Sequence, residues 1–121
     1  MTPEEILNQL PSFTGTEYYY RHMRLIYTDG VKFVAENCGA YWLLDLINSY
    51  QIHYKVRTQE FQVYKLFVRE NKTAFVEISN GNNKILATQE IEYSDFPLPK
   101  MEIWCINYKE SNPTCILPSE Y

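Results

Sequence analysis

The sequence predicts an α+β fold in which N-terminal helices pack on one face of an antiparallel β-meander of about four or five strands. Three observations carry that expectation. Apolar residues recur at helical spacing up to about residue 50, β-branched and aromatic residues dominate from about residue 59 to 108, and turn-forming clusters divide that second region into short pieces. With 121 residues and 45% hydrophobic content, the chain has the length and composition of a single domain, 1–121. Its helical layer is expected mainly over 1–50, its sheet mainly over 59–108, and a C-terminal segment, 113–121, is expected to dock on the body.

Each element has a local cause. Thr2 caps a first helix with Pro3 at its first position and Glu5 at its third, a capping box, and Ile6, Leu7 and Leu10 form the apolar stripe. Pro11 and Gly15 end it, leaving Phe13 as the one candidate for burial in a polar turn region. Tyr18 to Tyr27 reads as a single extended, aromatic stretch closing on Thr28-Asp29-Gly30. Thr28 or Asp29 then caps a second helix whose Val31, Val34, Ala35 and Cys38 share one face and whose stop is Gly39. A third helix starts at Ala40: Ala40, Leu43, Leu44 and Ile47 line one side, Trp42 and Leu46 widen the stripe, and Tyr41, Asp45, Asn48 and Ser49 lie opposite. Strands follow over Phe61–Val68, Thr73–Ile78, Lys84–Tyr93 and Met101–Tyr108, with Asn80-Gly81 marking a hairpin. Ala74, Val76 and Ile78 alternate with Phe75, Glu77 and Ser79, as a sheet with one covered face requires.

Composition narrows the classes of function. No apolar run approaches bilayer-spanning length, so no membrane role is expected. The start Met-Thr-Pro-Glu-Glu lacks the basic and apolar parts of a secretory signal, which makes the cytoplasm the expected compartment. Cys38, Cys105 and Cys115 form no CxxC pair and read as free thiols. A net charge of −4 opposes contact with a phosphate backbone, so nucleic acid is disfavoured as a partner. No His, Cys or Asp pair has the short spacing of a zinc site, and neither a metal nor a cofactor is expected. The 11 tyrosines are an excess that suits a binding surface, because each ring offers apolar area with a polar tip.

Several local strings carry chemistry. Tyr18 to Arg24 interleaves aromatic rings with Arg21, His22 and Arg24, a pattern able to stack and neutralise a nucleotide; on a strand, however, Arg21 faces away from His22. Thr14-Gly15-Thr16 offers amides and hydroxyls to a small anion. Glu17, Asp29, Asp45 and Asp95 stand at element ends or on a polar helix face, where helix capping, turn formation and solvation account for them as readily as acid–base work. No residue is assigned a catalytic role.

Phe13-Thr14-Gly15-Thr16-Glu17, Tyr27-Thr28-Asp29-Gly30, Ala40-Tyr41-Trp42-Leu43-Leu44-Asp45, Asp95-Phe96-Pro97-Leu98 and Leu117-Pro118-Ser119-Glu120-Tyr121 together resemble a family of small bacterial and phage proteins known as a domain of unknown function. The resemblance implies a stand-alone domain, often carried on mobile elements, and brings no activity with it. It directs attention to polar and aromatic residues that periodicity leaves unexplained. Glu17, Tyr19, Arg21, Asp29, Tyr41, Trp42 and Asp45 are the candidate ligand- or partner-binding residues. The expected function is a non-enzymatic binding module, an accessory or counter-defence factor of a mobile element that binds a protein or sequesters a small ligand, with a homo-oligomer left open. The alternative is a small enzyme acting on a nucleotide or phosphoester, with Glu17, Arg21, His22 and Asp29 converging.

Overall fold

Local signals set the helices. Thr2 Oγ1 accepts the Glu5 amide at 3.1 Å while Glu5 accepts the Thr2 amide at 3.0 Å, and helix α1 (Pro3–Gln9) runs into a 3₁₀ turn over Leu10–Ser12. Thr28 caps α2 (Asp29–Asn37), and Gly39, with φ of +60°, supplies the left-handed residue that separates it from α3 (Tyr41–Tyr50). A short α4 (Tyr54–Arg57) follows, where the residue pattern had suggested that helix was over. The computed structural model describes residues 1–107 and 112–121.

The strands are β1 (Tyr19–His22), β2 (Leu25–Thr28), β3 (Phe61–Val68), β4 (Ala74–Ser79), β5 (Ile85–Ile91), β6 (Lys100–Ile106) and β7 (Thr114–Ile116). Among the described residues the sheet therefore has seven strands, not four or five, in the order β1-β2-β7-β6-β3-β4-β5. Two causes account for the difference. The stretch Tyr18–Tyr27 is not one strand but a hairpin, turned at Met23 with φ of +56° and Arg24, so two strands lie within the region expected to be helical. The C-terminal segment does not merely dock; Thr114–Ile116 enters the sheet between β2 and β6. The end of the fourth expected strand at Tyr108 lies outside the described residues.

The meander is also only partial. β3, β4 and β5 follow one another, but β6 pairs with β3 on its far side, and β7 runs parallel to β2 while antiparallel to β6. A parallel pair joins residues far apart in sequence, so no short turn announces it.

Alternation sorts the sheet into two faces. Tyr64, Leu66, Ala74, Val76, Ile78, Ile103, Cys105 and Cys115 join Val31, Val34, Leu43, Leu44 and Ile47 of α2 and α3, with Ile6 of α1, in one buried cluster. The opposite positions Phe61, Lys65, Phe67, Phe75, Glu77, Glu102 and Trp104 are half-exposed. There the Trp104 ring meets Phe61 and Tyr121 edge-on, at centroid distances of 5.0 and 5.4 Å. At the buried face, the Gln51 side chain donates to Gln62 Oε1 and Tyr64 Oη, each at 2.9 Å, which ties the end of α3 to β3 by hydrogen bonds inside the core.

Candidate functional site

The start of α2 gathers three of the sequence strings. Asp29 Oδ2 accepts the amides of Glu17 at 2.9 Å and Tyr18 at 3.4 Å, while Oδ1 accepts the Tyr20 hydroxyl at 2.8 Å. The Asp29 amide donates to Thr16 Oγ1 at 2.9 Å. Those donors, the Glu17 amide first and then the Tyr20 hydroxyl, favour the ionised carboxylate and hold its pKa below the usual aspartate value. On the other side, Glu120 accepts the Thr28 hydroxyl at 2.6 Å, the Gly30 amide at 3.1 Å and the Leu117 amide at 2.8 Å. A carboxylate at a helix start satisfies orphan amides and suits the positive end of the dipole. A Cβ at position 30 would stand 2.7 Å from both Glu120 Oε1 and a Leu117 methyl, so a larger residue there would push those two side chains aside and disturb the grip of Glu120 on the helix start. The strings around Glu17, Asp29 and Glu120 thus tie chain segments together.

The other candidates divide between the faces of the β1–β2 hairpin. Tyr20 and His22 point towards the helices: Lys32 Nζ stands 4.4 Å from the Tyr20 ring centroid, and His22 Nε2 lies 2.6 Å from Asp45 Oδ1. The Tyr41 ring is centred 6.0 Å from His22, and Asn48 Oδ1 takes the Arg24 amide at 3.0 Å. Burial, followed by the neighbouring Tyr41 hydroxyl, pushes the pKa of Tyr27 up to about 12. Tyr19 and Arg21 occupy the alternate, exposed positions of β1, and the Arg21 guanidinium donates to the Met23 carbonyl at 3.3 Å. Trp42 is half-buried against the core cluster. Asp45 and Tyr41 therefore meet at His22, Asp29 holds the Glu17 main chain, and Tyr19 and Arg21 lie on the other face of the hairpin.

A larger feature lies elsewhere. β7 pairs with β6 only along Trp104–Ile106, so the first half of β6 has β3 as its sole strand neighbour among the described residues. Beyond the end of β7 the chain turns through Pro118–Glu120, and α1 with Pro11 stands across from it. Between them is a cavity of about 500 Å³. Leu66, Leu98, Met101 and Leu117 line it as buried side chains, while Leu7 is 53% exposed at its edge. Lys65, Lys100, Glu102 and Ser119 are its polar lining. A concave, largely apolar site with a few polar groups is the usual form of a small-molecule pocket.

None of the cavity residues was among the candidates from sequence, and one signal could have pointed to it. Leu7 belongs to the apolar stripe expected of α1, yet the structure buries Ile6 and leaves Leu7 facing this opening. Among the described residues no group of three His, Cys, Asp or Glu side chains is placed to hold a metal ion, and no helix is long and apolar enough to cross a membrane. Cys38, Cys105 and Cys115 are all buried free thiols.

No curated protein and no solved structure matches the chain. A family model does, over residues 4–121, and on that match the chain belongs to a family of unknown function, DUF6876.

Proposed function

We propose that the protein is a non-enzymatic binding module that sequesters a small, largely apolar ligand in the cavity between α1, the first half of β6 and the C-terminal turn. The observation that carries this reading is the cavity itself, about 500 Å³ with mainly apolar walls drawn from four separate parts of the chain. The residues required by the enzymatic alternative support it from the other side. Arg21 and His22 sit on opposite faces of β1, and Asp29 spends its carboxylate on the amides of Glu17 and Tyr18 and on Tyr20. The motif resemblance adds the setting: an accessory or counter-defence factor of a mobile element, acting in the cytoplasm.

The test is uptake of a neutral environment-sensitive dye such as Nile red. The protein is expected to bind it with about 1:1 stoichiometry, and Leu7→Trp, a change at an exposed helix position, is expected to fill the opening and abolish the signal without unfolding the protein. No uptake by the unaltered protein, or equal uptake by Leu7→Trp, would remove this reading.

A further inference from the structure

The cavity has a polarity opposite to that of the whole molecule. The chain carries a net charge of −4, yet the ionisable groups lining the cavity are Lys65, Lys100 and Glu102, a balance of two positive to one negative. The acid is partly committed: Glu102 Oε2 accepts the Trp104 indole N–H at 2.5 Å. The lysines are not. Glu77 and Glu102 stand beside Lys65 in register, but among the described residues no carboxylate oxygen lies within 4 Å of either ammonium, whereas Lys32 and Arg69 each have such a partner. Lys100 is exposed and Lys65 half-buried, and both line the cavity, so neither ammonium is sealed from an anion that enters it.

Resting on the binding reading above, the geometry points to one class of ligand: a free single-chain amphiphile with an anionic head, of the fatty carboxylate type. Its alkyl chain lies against Leu10, Leu66, Leu98 and Met101, and its head group is held by Lys65 and Lys100. The apolar walls supply affinity in proportion to chain length, because each methylene removed from water contributes a nearly constant increment. The lysines supply selection by charge, since a carboxylate forms charge-assisted hydrogen bonds that an alcohol of the same length cannot.

Isothermal titration calorimetry with octanoate, decanoate and 1-decanol, each below its aggregation limit, separates the two contributions. Decanoate is expected to bind roughly fifteenfold tighter than octanoate, about fourfold per methylene, and roughly tenfold tighter than 1-decanol. In the Lys65→Gln/Lys100→Gln protein the carboxylate is expected to lose its advantage while 1-decanol binding is unchanged, which also shows that the variant is folded. If 1-decanol matches decanoate in the unaltered protein, or if the double substitution leaves decanoate binding intact, the inference fails and the apolar cavity reading stands. If none of the three binds, both fail. Sedimentation with phosphatidylglycerol vesicles but no binding of free decanoate would overturn the inference in favour of a membrane surface.

Discussion

At the scale of single residues, the polar strings that stand out in the sequence turn out to be fasteners. Asp29 makes three hydrogen bonds to residues 9 to 12 positions earlier, and Glu120 reaches residues 90 and 92 positions away. The helix start at Asp29 was legible, because a Thr-Asp-Gly string announces one. The partners of the two carboxylates were not, because nothing in the spacing of Glu120 relates it to Gly30. Asp29 also makes a pH prediction. Its folded pKa is depressed by the amide and hydroxyl donors around it, so its stabilisation is present above the unfolded aspartate pKa, near 3.8, and is lost as pH falls through the lower folded value. Urea midpoints for the protein and for Asp29→Asn are therefore expected to differ at pH 6 and to converge as the pH is taken from about 4 downward. A gap that stays constant to the lowest accessible pH would show that the carboxylate charge is not what these donors read.

Among elements, caps, stops and tight turns followed local rules, and pairings did not. Phe61–Val68 is found with the expected bounds, and the other three expected strands shift by one to two residues at their described ends. The Asn80-Gly81 signal does turn β4 into β5: Gly81 adopts φ of +83° and Asn83 +66°. Gly81→Ala should cost this hairpin roughly 1–2 kcal/mol, because alanine resists the left-handed region. Its Cβ would also approach the Phe61 ring to 3.1 Å. Equilibrium urea denaturation measures the loss, and a variant as stable as the original would mean that the turn relaxes without strain. The β1–β2 hairpin carries no such signal in its sequence. Its two-residue turn uses Met23 in the left-handed region, where glycine, asparagine or aspartate is the usual signal, and methionine gives none.

For the whole molecule, the decisive joints connect the helical part to the sheet and the two parts of the sheet to each other. Gln51, Gln62 and Tyr64 form a buried network in which Tyr64 donates to Gln62 Oε1 at 2.6 Å and Gln62 Nε2 donates to the Val56 carbonyl at 3.0 Å. All three side chains are at most 6% exposed. Gln62→Ala is expected to lose about 3 kcal/mol of unfolding free energy, since it takes the acceptor from the buried Tyr64 hydroxyl and opens a void. Chemical denaturation reads this directly, and a loss within the ±0.5 kcal/mol typical of surface changes would show that the network does not hold α3 to β3. β7 is the second joint: three residues link the β1–β2 hairpin to the other four strands.

The residue order alone was enough to determine the α+β class, the cap of α1, the start of α2 at Thr28-Asp29, the Gly39 stop, the core stripe of α3 and the alternation of β4. These depend on neighbours within a few positions, where period and turn chemistry act directly on the backbone. Only the tertiary structure decided the seven-strand order, the insertion of β7 beside β2, the grip of Glu120 on α2 and the cavity with its two lysines. Each of these joins residues tens of positions apart, and such contacts arise from how faces pack in space, which leaves no periodic trace along the chain.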